Sequence, residues 1–110
     1  MTEKTIFIQN AEEYWVSIDE GSSKTANAKE RANKKIVAEW VKDGVVSERL
    51  LPLLTHSSIE VRFAAAAHLI NHAEKEKAIS VLRELIKESE GLISPSAATV
   101  LRIHKISVAS

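Results

Sequence analysis

The sequence predicts an all-α protein, and three observations carry that reading. Apolar residues recur at helical spacing through almost all of the 110 residues, and strand-like alternation is nearly absent. The three glycines, Gly21, Gly44 and Gly91, each close such a stretch. Glycine adopts the left-handed backbone that ends a helix without a Cβ clash, so this placement reads as C-terminal punctuation. The composition is that of a folded globule: 45% apolar, with 15 Lys+Arg balanced by 15 Asp+Glu. A chain of this length is expected to form one domain, residues 1–110, with a core that needs no covalent staple.

The elements follow in order. A first helix is expected from about Asn10 to Glu20, where Asn10 and Glu13 stand at capping-box spacing and Ala11, Tyr14, Trp15 and Ile18 share a face. Before it, Thr5-Ile-Phe-Ile8 is the one run that reads as extended. A second, long helix runs from about Ser23 to Asp43 and ends at Gly44. Its apolar stripe is Ala28, Ala32, Ile36 and Trp40, widened by Val37 and Val41. The third covers roughly Ser47–Leu54 and is kinked at Pro52, which lacks the N–H that a helix interior requires. A fourth begins after Ser57, with Glu60 at capping-box spacing, and reaches about Asn71. The fifth, about Glu74–Glu88, buries Ala78, Val81, Leu82, Leu85 and Ile86. The last opens on Ser94-Pro95, an N-cap followed by proline at the first helical position, and runs to about Lys105.

The fourth segment differs from the rest. Ile59–Ile70 is apolar on almost every side, interrupted only by Glu60, Arg62 and His68. A helix of that kind has to be covered all round. The run Ala64–Ala67 lets neighbouring helices approach closely, so this segment is expected to be the central, enclosed element. Short links between segments make sequence neighbours pack antiparallel.

Leu50-Leu-Pro-Leu-Leu54, the turn Thr55-His-Ser-Ser58, and Val61-Arg62 ahead of Ala64-Ala65 and Leu69 resemble a HEAT repeat of the phycobilisome-lyase type. Residues 21–27 and 91–97 extend the likeness to a small bacterial family of HEAT-like domains without assigned chemistry. Phe63, after the Val-Arg pair, fits that pattern; the terminal tryptophan of the family is missing here. The resemblance implies a short right-handed α-α superhelix of about six helices and supplies no reaction.

Chemistry is excluded class by class. Without cysteine there is no disulfide, thiolate metal site or thiol nucleophile. Three isolated glycines cannot build a phosphate-cradling loop, and no G-x-S-x-G element exists. Only two aspartates occur, Asp19 and Asp43, both at expected helix ends, and the glutamates are spread as on solvated faces. No enzyme and no cofactor are expected. His68 and His72 stand four apart, a spacing compatible with zinc or nickel, but no third ligand accompanies them. His56 lies near the other end of the same segment, roughly 20 Å away by helical rise. No metal is assigned, and the pair is retained as a candidate for partner contact.

The candidate interaction surface is basic. Lys24, Arg31, Lys35 and Lys42 fall on one side of the second helix, opposite Ile36 and Trp40. Arg62 is expected to brace adjacent helical hairpins through carbonyls or a carboxylate, or else to meet a partner, since arginine is favoured at hot spots. The leading expectation is a non-enzymatic protein-binding module, in its specific form a bacterial immunity or antitoxin-type protein. The alternative is weak nucleic-acid binding by the same basic stripe. Against it stand overall neutrality and the placement of Tyr14, Trp15, Trp40 and Phe63 on apolar faces, away from any base. The opening Met1-Thr-Glu-Lys lacks a signal-peptide pattern and no apolar run approaches membrane-spanning length, so a cytoplasmic location is expected.

Overall fold

The structure is a computed structural model that describes residues 2–109. It is all-helical, with six α-helices, one 3-10 helix and no strand among the described residues. Internal contacts divide the chain into two compact units, the first running to Arg49 and the second starting at Leu50.

The first unit is built on an antiparallel pair, α1 (Glu3–Asp19) and α2 (Ser23–Lys42). Helix α1 begins well before Asn10, because Thr2 supplies the cap: its hydroxyl accepts the Thr5 N–H at 3.2 Å. The run expected to be extended is therefore helical. Phe7 within it is 0% exposed and meets Trp40 of α2 with ring centroids 5.7 Å apart. Asn10 is not a cap. It sits buried in mid-helix and donates through Nδ2 to Asn33 Oδ1 at 3.0 Å, while Asn33 Nδ2 donates to the Phe7 carbonyl at 3.1 Å.

That amide pair turns α2 away from the expected stripe. Its buried line is Ala26, Asn33, Val37 and Trp40, whereas Ala28 is exposed and Val41 is 40% exposed. The physical reason is that a polar residue counts against burial until its partner is known, and two amides that satisfy each other lie inside at little cost. A Lys29–Glu13 ion pair at 3.3 Å joins the two helices on their flank.

The short α3 (Val46–Leu50) leads into a 3-10 helix, Leu51–Thr55. Pro52 does not kink a longer α-helix. It lies in the opening turn of the 3-10 segment, where its missing N–H costs nothing, and it separates the two elements.

In the second unit α4 (Ile59–Leu69) is capped by Ser58, one residue after the expected cap. The Ser58 hydroxyl accepts from the Val61 N–H at 3.4 Å and donates to Glu60 Oε2 at 2.9 Å. Every residue from Ile59 to Ile70 is buried or half-buried, and Val61, Ala65, Ala66 and Leu69 are all 0% exposed. The 3-10 helix, α5 (Lys75–Glu88) and α6 (Ile93–Ile103) pack around it. Small side chains on α4 allow that close approach, and Leu82, Leu85 and Leu101 fill the space between. Each such leucine, fully buried, contributes roughly 1.5–3 kcal/mol. Val81 and Ile86 of α5 are half-buried at the edge of this core.

Ser94 is not the cap of α6. The helix starts two residues earlier, with Leu92 at the cap position and Ile93 buried, and the Ser94 hydroxyl instead donates to the Ile86 carbonyl near the end of α5, at 2.9 Å.

Candidate functional site

The four cations named from sequence share one exposed line of α2. Lys24, Arg31, Lys35 and Lys42 are all exposed, and Ala28 and Ala38, also exposed, fill the gaps between them. The six positions alternate in steps of four and three residues, which keeps them within about 40° of a common direction at about 100° per residue. Asn33, which points at α1, lies about 180° away. The line extends for about 27 Å along the helix at a rise of about 1.5 Å per residue. It contains no acidic residue.

Two local conflicts mark this line. Arg31 and Lys35 stand four apart, where like charges repel, and Lys24 is a cation in a first turn that contains no acid. Only Lys42, in the last turn, suits the helix dipole. Among the described residues none of the four has an ion-pair or hydrogen-bond partner. Among the described residues no ion pair or hydrogen bond from these four cations ties α2 to α1. What they offer is a straight, solvated row of positive charge with small residues between, able to meet an anionic surface at close range.

Sequence spacing alone places Ala28 in the apolar stripe and leaves Ala38 unassigned. The alternating four- and three-residue spacing shared with the cations is the signal that places them outside.

The remaining candidates do not join this line. Arg62 lies on α4, and its Nε is buried with no hydrogen-bond partner. The expected brace to a carbonyl or carboxylate is absent: among the described residues no acceptor reaches it. His68 is half-buried on α4, whereas His72 is exposed in the turn beyond the helix end at Leu69. The two therefore do not share a helix face, because the helix stops before His72 is reached. His56 has a local role, its Nδ1 accepting the Ser58 N–H at 3.0 Å just ahead of α4. Among the described residues no group of three His, Asp or Glu side chains is gathered as a metal would need.

An open depression of about 480 Å³ follows one side of α5, along Glu76, Ile79, Ser80, Arg83, Glu84 and Lys87. Arg83 is held at its edge by two donations to the Ser107 carbonyl, at 3.2 and 3.0 Å. These six residues all belong to α5. Trp40 is buried and Trp15 half-buried, edge-on to Tyr14 at 5.0 Å.

No protein-family model, curated protein or solved structure matches this chain. Among the described residues no helix is long and apolar enough to cross a membrane.

Proposed function

We propose that this chain is a non-enzymatic protein-binding module whose α2 face holds an acidic surface of another protein. The observation that carries the reading is the unpartnered row Lys24, Arg31, Lys35, Lys42, set in line with two alanines and kept despite its repulsion within the helix. Like charges set four apart on an exposed face are a local conflict of the kind expected where a surface serves something outside the chain. Rim charges of this kind mainly steer encounter and select the partner's sign, while the alanines leave room for a second backbone. The HEAT-like reading belongs to the same proposal and is supported by the residue pattern around Leu50–Leu54 and Val61-Arg62. An immunity or antitoxin-type inhibitor is its specific form, a task that requires a shaped surface and no reactive group.

The test is retention on the immobilised chain at low salt. An acidic protein should be retained, should survive nuclease treatment, and should be lost when all four cations are changed to glutamine. Retention that disappears with nuclease, and duplex binding that falls with salt on a log–log slope of about −3 to −4, would identify a four-phosphate nucleic-acid site instead.

A further inference from the structure

We infer that the acidic surface received by the α2 face is the outward line of α1 from a second copy of this chain. The inference rests on the reading of α2 as a binding face and names the occupant.

Charge within the first unit is segregated by helix. Between Glu3 and Asp19, α1 carries four acids against one lysine, and α2 carries six cations against two glutamates. The outward line of α1 contains Glu12, Val16 and Asp19, all exposed, with the apolar Val16 at 55%. Asn10, which points to α2, lies roughly 160° around the helix from Glu12. Acid and base therefore lie on opposite outer edges of the hairpin, where they cannot satisfy each other within one chain.

The spacing of the two lines matches. Glu12, Val16 and Asp19 are separated by four and three residues. Lys24, Ala28 and Arg31 repeat that interval in the same chain direction, and Lys42, Ala38 and Lys35 repeat it in reverse. The basic line thus reads alike from either end. In both registers each carboxylate faces a cation and Val16 faces an alanine, so an exposed apolar side chain is covered by a small one. Alternating steps of four and three residues are also the interval at which one helix lies along another. The chain has zero formal net charge and a pI near 6.9, so copies do not repel each other at neutral pH.

Because the complementary lines occupy opposite edges, the contact is heterologous: α1 of one copy meets α2 of the next, and association does not close at two. Exposed ion pairs are individually weak and screened by salt, so the assembly belongs to low ionic strength and high protein concentration.

Sedimentation equilibrium of the full chain tests this. At about 50 mM salt the weight-average mass should rise with concentration past the dimer, and at about 500 mM it should return to the 12.1 kDa monomer. A variant with Lys24, Arg31, Lys35 and Lys42 all changed to glutamate should remain monomeric, as should Glu12→Lys/Asp19→Lys. Mixed together, the two should associate again, because both lines of the first are then acidic and both lines of the second basic. If a reversed variant fails to fold by far-UV circular dichroism, Glu12→Gln/Asp19→Gln replaces it and should still abolish the rise. A wild-type chain that stays monomeric at low salt overturns the inference, as does a mixture that stays unassociated. If the wild type is monomeric yet retains an acidic protein that the glutamine variant loses, the α2 reading stands and only the occupant is wrong.

Discussion

Lys105 occupies a backbone position that this chain elsewhere gives to glycine. At Gly21 and Gly44 the helix ends in the same pair of hydrogen bonds: the glycine N–H reaches back three residues and the next N–H five, as from Ser22 to the Ser17 carbonyl at 2.8 Å. Lys105 and Ile106 repeat that pair at the end of α6, on the Arg102 and Leu101 carbonyls at 2.9 Å, with Lys105 at φ 58°. A side chain in that region is strained and glycine is not, so Lys105→Gly is expected to stabilise the protein by about 0.5–1 kcal/mol in chemical denaturation. Destabilisation there would mean that the lysine side chain contributes more than its strain costs. At Arg62 the expectation runs the same way. Its buried Nε has no acceptor, so Arg62→Met, which keeps the apolar stem, should leave stability within about 0.5 kcal/mol or raise it. A loss above about 2 kcal/mol would restore the bracing role that the sequence suggested. Neither feature is legible in sequence, because a left-handed lysine and an unpaired donor exist only once the surroundings are fixed.

Two contrasting interfaces hold the elements. Around α4 the packing depends on smallness. Ala65 is 0% exposed, and Ala65→Leu is expected to cost about 1–3 kcal/mol by overpacking. A neutral result would show that the helix is not enclosed. Between α1 and α2 it depends on a matched polar pair. Asn33→Ala should cost about 1–3 kcal/mol, since the buried Asn10 amide loses its acceptor and the Phe7 carbonyl loses one of its donors. Replacing Asn10 and Asn33 together by leucine should cost less than the single change, because no group is then left unpaired, and equal costs would remove the argument. The enclosed α4 could be read directly, as an all-round apolar run with four consecutive alanines reports its own burial. The hairpin face could not. Asn10 resembles a helix cap and Asn33 resembles surface, and only their mutual contact shows that both are core. The same contact explains why α2 presents Ala28 and Val41 outward.

On the scale of the molecule, neutrality conceals pattern. Equal totals of acid and base say little about function, yet four cations stand in one row on α2 while acids gather on α1. The basic row was readable from helical spacing alone. Its freedom from internal partners and the alanines that complete it required the packing to be known. The histidines show the opposite case: four-residue spacing suggested a shared face, and the helix ended too soon to provide one. The proposed function rests on this charged face. The most direct measurement is the amount of acidic protein retained by the folded variant in which Lys24, Arg31, Lys35 and Lys42 are all glutamine. Its unfolding free energy should match the wild type within about 0.5 kcal/mol, as expected for exposed residues, while retention disappears. A variant that is stable and still retains the same protein would contradict the account.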